Sequence, residues 1–223
     1  MLSDDERNDF HNAVNALKRD TSVEPNKFDT LALIHTDSVE SAHTSKKGNT
    51  GAGFLGWHRV YILMFETALR EVNPSVCLPY WDSSLDDGLD TDGTSHIKSD
   101  EFPGTPHGRV MTGPFANWTT PRDVPLWRNV GFQGDIISVN DTQEVLSRHS
   151  YEDILPSFGE IRYRWEAHHN EAHDLVGDDM QDQTRATFDP VFYLLHAFVD
   201  FVWERFRDTL RTKGKNPELY PEV

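Results

Sequence analysis

The sequence predicts a mainly α-helical fold: a bundle of about four long helices, a further helix at the start, and one long irregular excursion in the middle. Two observations carry that reading. Residues 3–19, 54–72 and 190–211 keep apolar side chains at helical spacing, and residues 79–157 do not. The excursion is punctuated by Pro, Gly, Asp and Thr, as in "PYWDSSLDDGLDTDGTSH" and "FPGTPHG", which leaves room for short strands only. At 223 residues, one core and therefore one domain across 1–223 is expected.

The first helix opens on a capping box, Ser3 with Glu6, and buries Phe10, Val14 and Leu17. A second covers about 27–38, where Phe28, Leu31 and His35 share a face. "FLGWHRVYILMFETALREV", 54–72, is apolar almost all round and reads as a central buried helix. Arg59 inside it calls for a buried acid, Asp82 or Asp189. Helical spacing returns near 158 and stops at Gly177. The last helix starts with Asp189 as N-cap and Pro190 at the first helical position.

Charge and composition exclude several functions. Twenty-one basic against 37 acidic residues leave a net charge of −16, which argues against nucleic acid or an anionic membrane as partner. No apolar run approaches the roughly 20 residues that span a bilayer. The start, "MLSDDERNDF", lacks the basic and apolar regions of a signal peptide. A single cysteine, Cys77, excludes an internal disulfide and reads as a buried apolar filler.

The chemistry lies in the eleven histidines. His169 and His173 in "EAHHNEAHDLVGDDM" are four apart and so share a helix face, while His168 points elsewhere. His196 sits on the apolar stripe of the last helix and needs a partner for its imidazole. His35, His43 and His58 make a second set of three. Imidazole-only ligation suits copper, zinc, iron or nickel. The order His169, Asn170, Glu171, Ala172, His173 does not place a glutamate as the zinc-protease helix does. His11, His96, His107 and His149 read as surface residues.

"FLGWHRVYILMFE", "LPYWD", "GPFANW", "HNEAHDLVGDDM" and "DPVFYLLHAFVDFVWERF" together resemble the tyrosinase family of type 3 copper proteins, over essentially the whole chain. That family includes tyrosinases, catechol oxidases and molluscan haemocyanin units. The resemblance implies a four-helix bundle around two copper ions that bind dioxygen as a bridging peroxide. His35, His43 and His58 would hold one ion, and His169, His173 and His196 the other. Ser41 stands where many members carry a cysteine joined to the second histidine, so that crosslink is excluded. The stretch "TSKKGNTGAG" after His43 suggests a flexible loop. A plug domain after this chain is not expected, which would favour an enzyme over an oxygen carrier.

The expected activity is ortho-hydroxylation of monophenols and oxidation of catechols to o-quinones, with dioxygen as co-substrate. A catechol oxidase without useful monophenolase activity, a haemocyanin-like oxygen binder and a zinc or mononuclear metal protein are the alternatives. By resemblance, Glu160 and Asn170 would hold the water that accepts the phenol proton. Gln183 falls at the substrate entrance, with Asp174 among the acids after His173. That acidic mouth predicts that tyramine and dopamine are better substrates than the corresponding amino acids. Asp200, one turn after His196, is expected to accept that ligand's second N–H.

Overall fold

The computed structural model describes residues 2–43, 51, 53–88, 95–156 and 158–220. Helix α1 (Asp4–Arg19) is held at its start by the expected capping box: the Ser3 N–H donates to the Glu6 carboxylate at 2.8 Å, and the Glu6 N–H donates to Ser3 Oγ at 3.3 Å. It buries Phe10, Ala13, Val14 and Leu17. Helix α2 (Lys27–Thr36) begins at an Asn26 cap, and short α3 (Val39–His43) follows it.

Helix α4 (Phe54–Val72) spans the expected residues, but it is not buried all round. Tyr61, Phe65 and Leu69 are in the core, whereas Val60 and Leu63 are 59% and 58% exposed. α4 packs against α1 and against α8 (Val191–Thr212), so its remaining face meets solvent. Arg59 lies towards that outer side. It pairs with Asp200 and Glu204 of α8 and stacks on Trp203 at 3.9 Å, and neither expected partner is involved.

Asp189 is engaged elsewhere. Its two carboxylate oxygens take Arg128 at 2.6 and 2.8 Å, and both side chains are fully buried. One oxygen also accepts the Val191 N–H at 3.0 Å, but the helix starts one residue later than expected, with Pro190 rather than Asp189 at its N-cap. Arg128 comes from strand β2 (Trp127–Asn129), which pairs antiparallel with β1 (His107–Arg109). This ion pair pins the excursion to the start of the last helix.

The excursion is less irregular than its composition suggests. Helix α5 (Val139–Leu146) was not expected, although Ser138 and Asp141 form a capping box at its start. Short α6 (Tyr151–Ile154) follows. Helix α7 (Trp165–Val176) starts later than 158: residues 161–163 form a single 3-10 turn, and Arg164 is extended with φ −74° and ψ 107°. Gly177, at φ 77°, ends it. Cys77 is exposed rather than a core filler. His11 is the reverse: it is 7% exposed and packs 5.5 Å from Phe115, because its side of α1 faces the excursion.

Candidate metal centre

Six histidines from five helices converge at the middle of the bundle. His35 comes from α2, His43 from the end of α3 and His58 from α4, and their candidate donor atoms lie within 4.8 Å of one another. His169 and His173 of α7 and His196 of α8 form a second group within the same limit. The groups face each other: the His58 and His196 rings stack with centroids 4.2 Å apart. Phe54 and Phe192 each pack against both groups, Phe54 at 4.8 Å from His58 and 4.7 Å from His169, Phe192 at 5.1 Å from His35 and 4.1 Å from His196. As expected, His168 turns away, towards Asp141 and the Arg162 carbonyl.

Hydrogen bonds set the protonation of four of these rings. The Nδ1–H of His58 donates to the Phe54 carbonyl at 2.8 Å, and that of His173 to the Met180 carbonyl at 2.7 Å. His169 Nδ1–H donates to Asn170 Oδ1 at 3.0 Å, and His43 Nδ1–H to the Glu166 carboxylate at 2.7 Å. With the proton on Nδ1, each Nε2 carries a bare lone pair, the form a metal needs.

The Nε2 atoms of His35, His43, His58 and His173 are buried without a partner among the described residues. Such orphaned atoms are costly unless something binds them. Burial, reinforced by the neighbouring imidazoles, lowers His35 to about 3 and pushes His58, His169 and His196 well below the ordinary histidine range. Burial likewise lowers His173 to about 4. These rings are neutral at pH 7, and His196 Nε2–H donates to His169 Nε2 at 2.9 Å, a proton that a bound metal would displace. The donor set therefore fits a pair of copper ions.

A cavity of about 140 Å³ opens onto both groups, with His35, His43, His169, His173 and His196 in its wall. Asn170, Asp174 and Gln183 line it, and so do Met180, Gln181 and Phe192. Two expected residues are elsewhere. Glu160 precedes the 3-10 turn, outside α7; its side chain is 69% exposed and pairs with Arg162. Asp200 binds Arg59, and His196 Nδ1 has no partner among the described residues.

Glu166 was missed. It lies three residues before His169 and four before Asn170, on their side of α7, and its side chain is 11% exposed against His43. Its signal was present in the helix spacing, but its contact with His43 spans 123 residues of chain. Gly51 completes this corner. Its N–H donates to the His43 carbonyl at 2.5 Å, and at φ 80° it fits where a Cβ would stand 2.3 Å from Pro156 and 2.5 Å from Glu166. Ser41 donates its hydroxyl to the Ser38 carbonyl, and most of the stretch expected to be flexible, 44–50 and 52, lies outside the described residues.

A helical bundle with two facing imidazole triads defines a binuclear metal protein, and comparison with known proteins specifies which. The profile of the common central domain of tyrosinase matches residues 25–209, and the chain belongs to the tyrosinase family of type 3 copper proteins. A tyrosinase-like protein of Caenorhabditis elegans is 35% identical over 99% of this chain and 32% of its own length, so the chain spans about a third of that relative. A tyrosinase of Streptomyces lincolnensis is 30% identical over 97% of this chain and 83% of its own. Among solved structures, a polyphenol oxidase from Thermothelomyces thermophila superposes with a TM-score of 0.68 at 23% identity, covering 93% of this chain and 68% of that one. An octopus hemocyanin functional unit follows at 0.63 and 20% identity, covering 96% and 53%. Among the described residues no helix is long and apolar enough to cross a membrane.

Proposed function

We propose that this chain is a copper-dependent phenol oxidase that hydroxylates monophenols and oxidises catechols to o-quinones, with His35, His43 and His58 holding one copper ion and His169, His173 and His196 the other. The observation that carries this is the cavity: it gives a small ring direct access to both triads. Overall, a monophenol and dioxygen yield the o-quinone and water, and two catechols and dioxygen yield two o-quinones and two waters. The copper pair, when bound, supplies the activation of dioxygen that no side chain can provide.

The protein's own contribution is to place the ring and take its proton. Phe192 and Met180 offer an apolar bed for the substrate, and Asn170 presents a polar edge to it. Asp174 is the carboxylate in the cavity wall and can accept the phenolic proton, alone or through a water, while Glu166 sits behind His43 and holds that ring. Glu160 cannot serve from the surface. The surface position of Glu160 and the engagement of Glu166 by His43 favour the second reading, a catechol oxidase.

Oxygen uptake by the copper-loaded protein with tyramine, primed by a trace of catechol, separates these readings. Uptake that outlasts the primer identifies a monophenolase. Uptake that ends with the primer and resumes with excess catechol leaves the catechol oxidase. Reversible oxygen binding without turnover of either substrate sinks the enzyme reading and leaves an oxygen binder.

A further inference from the structure

The rings that surround the two triads differ in kind. Around His169, His173 and His196, the aromatic neighbours other than histidine among the described residues are Phe54 and Phe192. Phe54 lies 4.7 Å from His169, and Phe192 lies 5.7 Å from His173 and 4.1 Å from His196. A benzyl ring gives up an electron with difficulty. His35 and His58 also touch rings that give one up readily, an indole and a phenol. Trp57 stands edge-on to both, at 5.5 Å from His35 and 5.0 Å from His58, and Tyr61 lies 6.0 Å from His35. Of the six tryptophans, Trp57 alone makes a ring contact with a triad histidine among the described residues.

Burial separates Trp57 from Tyr61. Tyr61 is 2% exposed, and its hydroxyl lies 3.0 Å from the Leu31 carbonyl and 3.0 Å from the Tyr193 hydroxyl. Burial pushes both phenols above their ordinary range, so both hold their protons. A phenol gives up its electron easily only as its proton leaves, and neither a carbonyl nor a second phenol is a base for that proton. Trp57 is placed differently. It packs against the core at the start of α4 and yet is partly exposed, so water reaches it while its ring edge meets His35 and His58.

We propose that Trp57 is an electron exit for the first triad: it supplies electrons when an oxidant reaches the metal centre with no phenol bound, and so spares the ligand histidines. The inference goes beyond phenol oxidation and requires only that the triads hold copper. With hydrogen peroxide as the oxidant, the indole gives one electron inward and one proton to water, leaving a neutral indolyl radical. A dissolved reductant such as ascorbate returns the electron and the proton, and two such rounds reduce one peroxide to two waters. Without a reductant the indole loses a second electron and water adds to the ring. The net change is then one tryptophan and one peroxide to one hydroxytryptophan and one water.

The test exposes the copper-loaded full chain, without phenol or reductant, to a small excess of hydrogen peroxide, and reads peptide mass spectra and copper content. Trp57 gains oxygen, His35 and His58 stay intact, and Trp127 is spared although it is 44% exposed. Methionine is not scored, because peroxide oxidises a thioether without a metal. In Trp57→Phe, compared at equal initial copper, oxidation shifts to His35 or His58 and copper is lost several-fold faster. Trp57→Tyr, which keeps an oxidisable ring within reach of water, restores most of the retention. Oxidation of Trp57 no greater than that of Trp127, equal oxidation in the copper-free protein, or unchanged copper loss in Trp57→Phe overturns the proposal. Catechol turnover is not among the readouts, so a failure of the oxidase reading is told apart from a failure of the electron exit.

Discussion

The two triads do the same task with different materials. The second draws two histidines from one turn of α7 and the third from long, well-buried α8. The first draws one histidine from each of three helices, and His43 ends a five-residue helix whose last carbonyl accepts the Gly51 N–H. Local helix geometry places His169 beside His173, with ring centroids 4.3 Å apart. His43 has no such help. It is held from outside, by Glu166 on the helix of the other triad. A ligand pair built into one helix is rigid by construction, and a ligand at a chain bend needs a partner.

That contrast can be broken at several points. The largest effect belongs to the ligands. His43→Ala costs the first triad its copper, by more than the ~100-fold expected for an outer-sphere loss, and spares the second. His196→Ala weakens both, because its ring also stacks on His58. Copper content and competition with a chelator measure both. Equal effects of the two substitutions would falsify the asymmetry.

Next is the support of the second triad. Arg128→Met leaves Asp189 buried and unpaired at the start of α8, at a cost of about 3–5 kcal/mol in denaturant unfolding. A loss below about 1 kcal/mol, the range of exposed pairs, means that the pair is not supporting α8.

Glu166→Ala tests the support of the first triad. It lowers copper affinity there by about 10–100-fold, and Glu166→Gln, which keeps an oxygen for the His43 N–H, lowers it less. If Gln proves as damaging as Ala, the carboxylate charge rather than the hydrogen bond is what His43 requires.

The last effect lies outside both triads and is absent at neutral pH. Burial, helped by the nearby Arg7 charge, lowers His11 to about 4 from its ordinary 6.5. Between those values the unfolded chain binds the proton and the folded chain does not, so this contribution to stability is complete above pH 6.5 and falls away as the pH drops towards 4. His11→Phe flattens acid unfolding by up to about 1.4 kcal/mol per pH unit over that window. An unchanged acid limb refutes the assignment.

Sequence alone went far where chemistry is local. The i,i+4 pair, the capping box of α1, the limits of α4 and, to within one residue, the start of α8 all follow from local helix geometry. The resemblance assigned the other ligands, and the structure brings all six together. Periodicity failed where a neighbour decides. The extended Arg164 breaks any helix that would carry Glu160 to the site, and α5 hides in a stretch whose composition reads as loop. His11 is buried and Cys77 exposed, because each depends on what the excursion covers.

Local sequence thus sets most of the inventory: the long helices and the histidines that they can present. Tertiary structure decided the pairings: Glu166 with His43, Arg128 with Asp189, Arg59 with Asp200, and the loop at 131–135 with α7. The physical reason is range. A helix turn acts over four residues, so its consequences are written in adjacent letters. A hydrogen bond across 123 residues exists only once packing has brought its ends together.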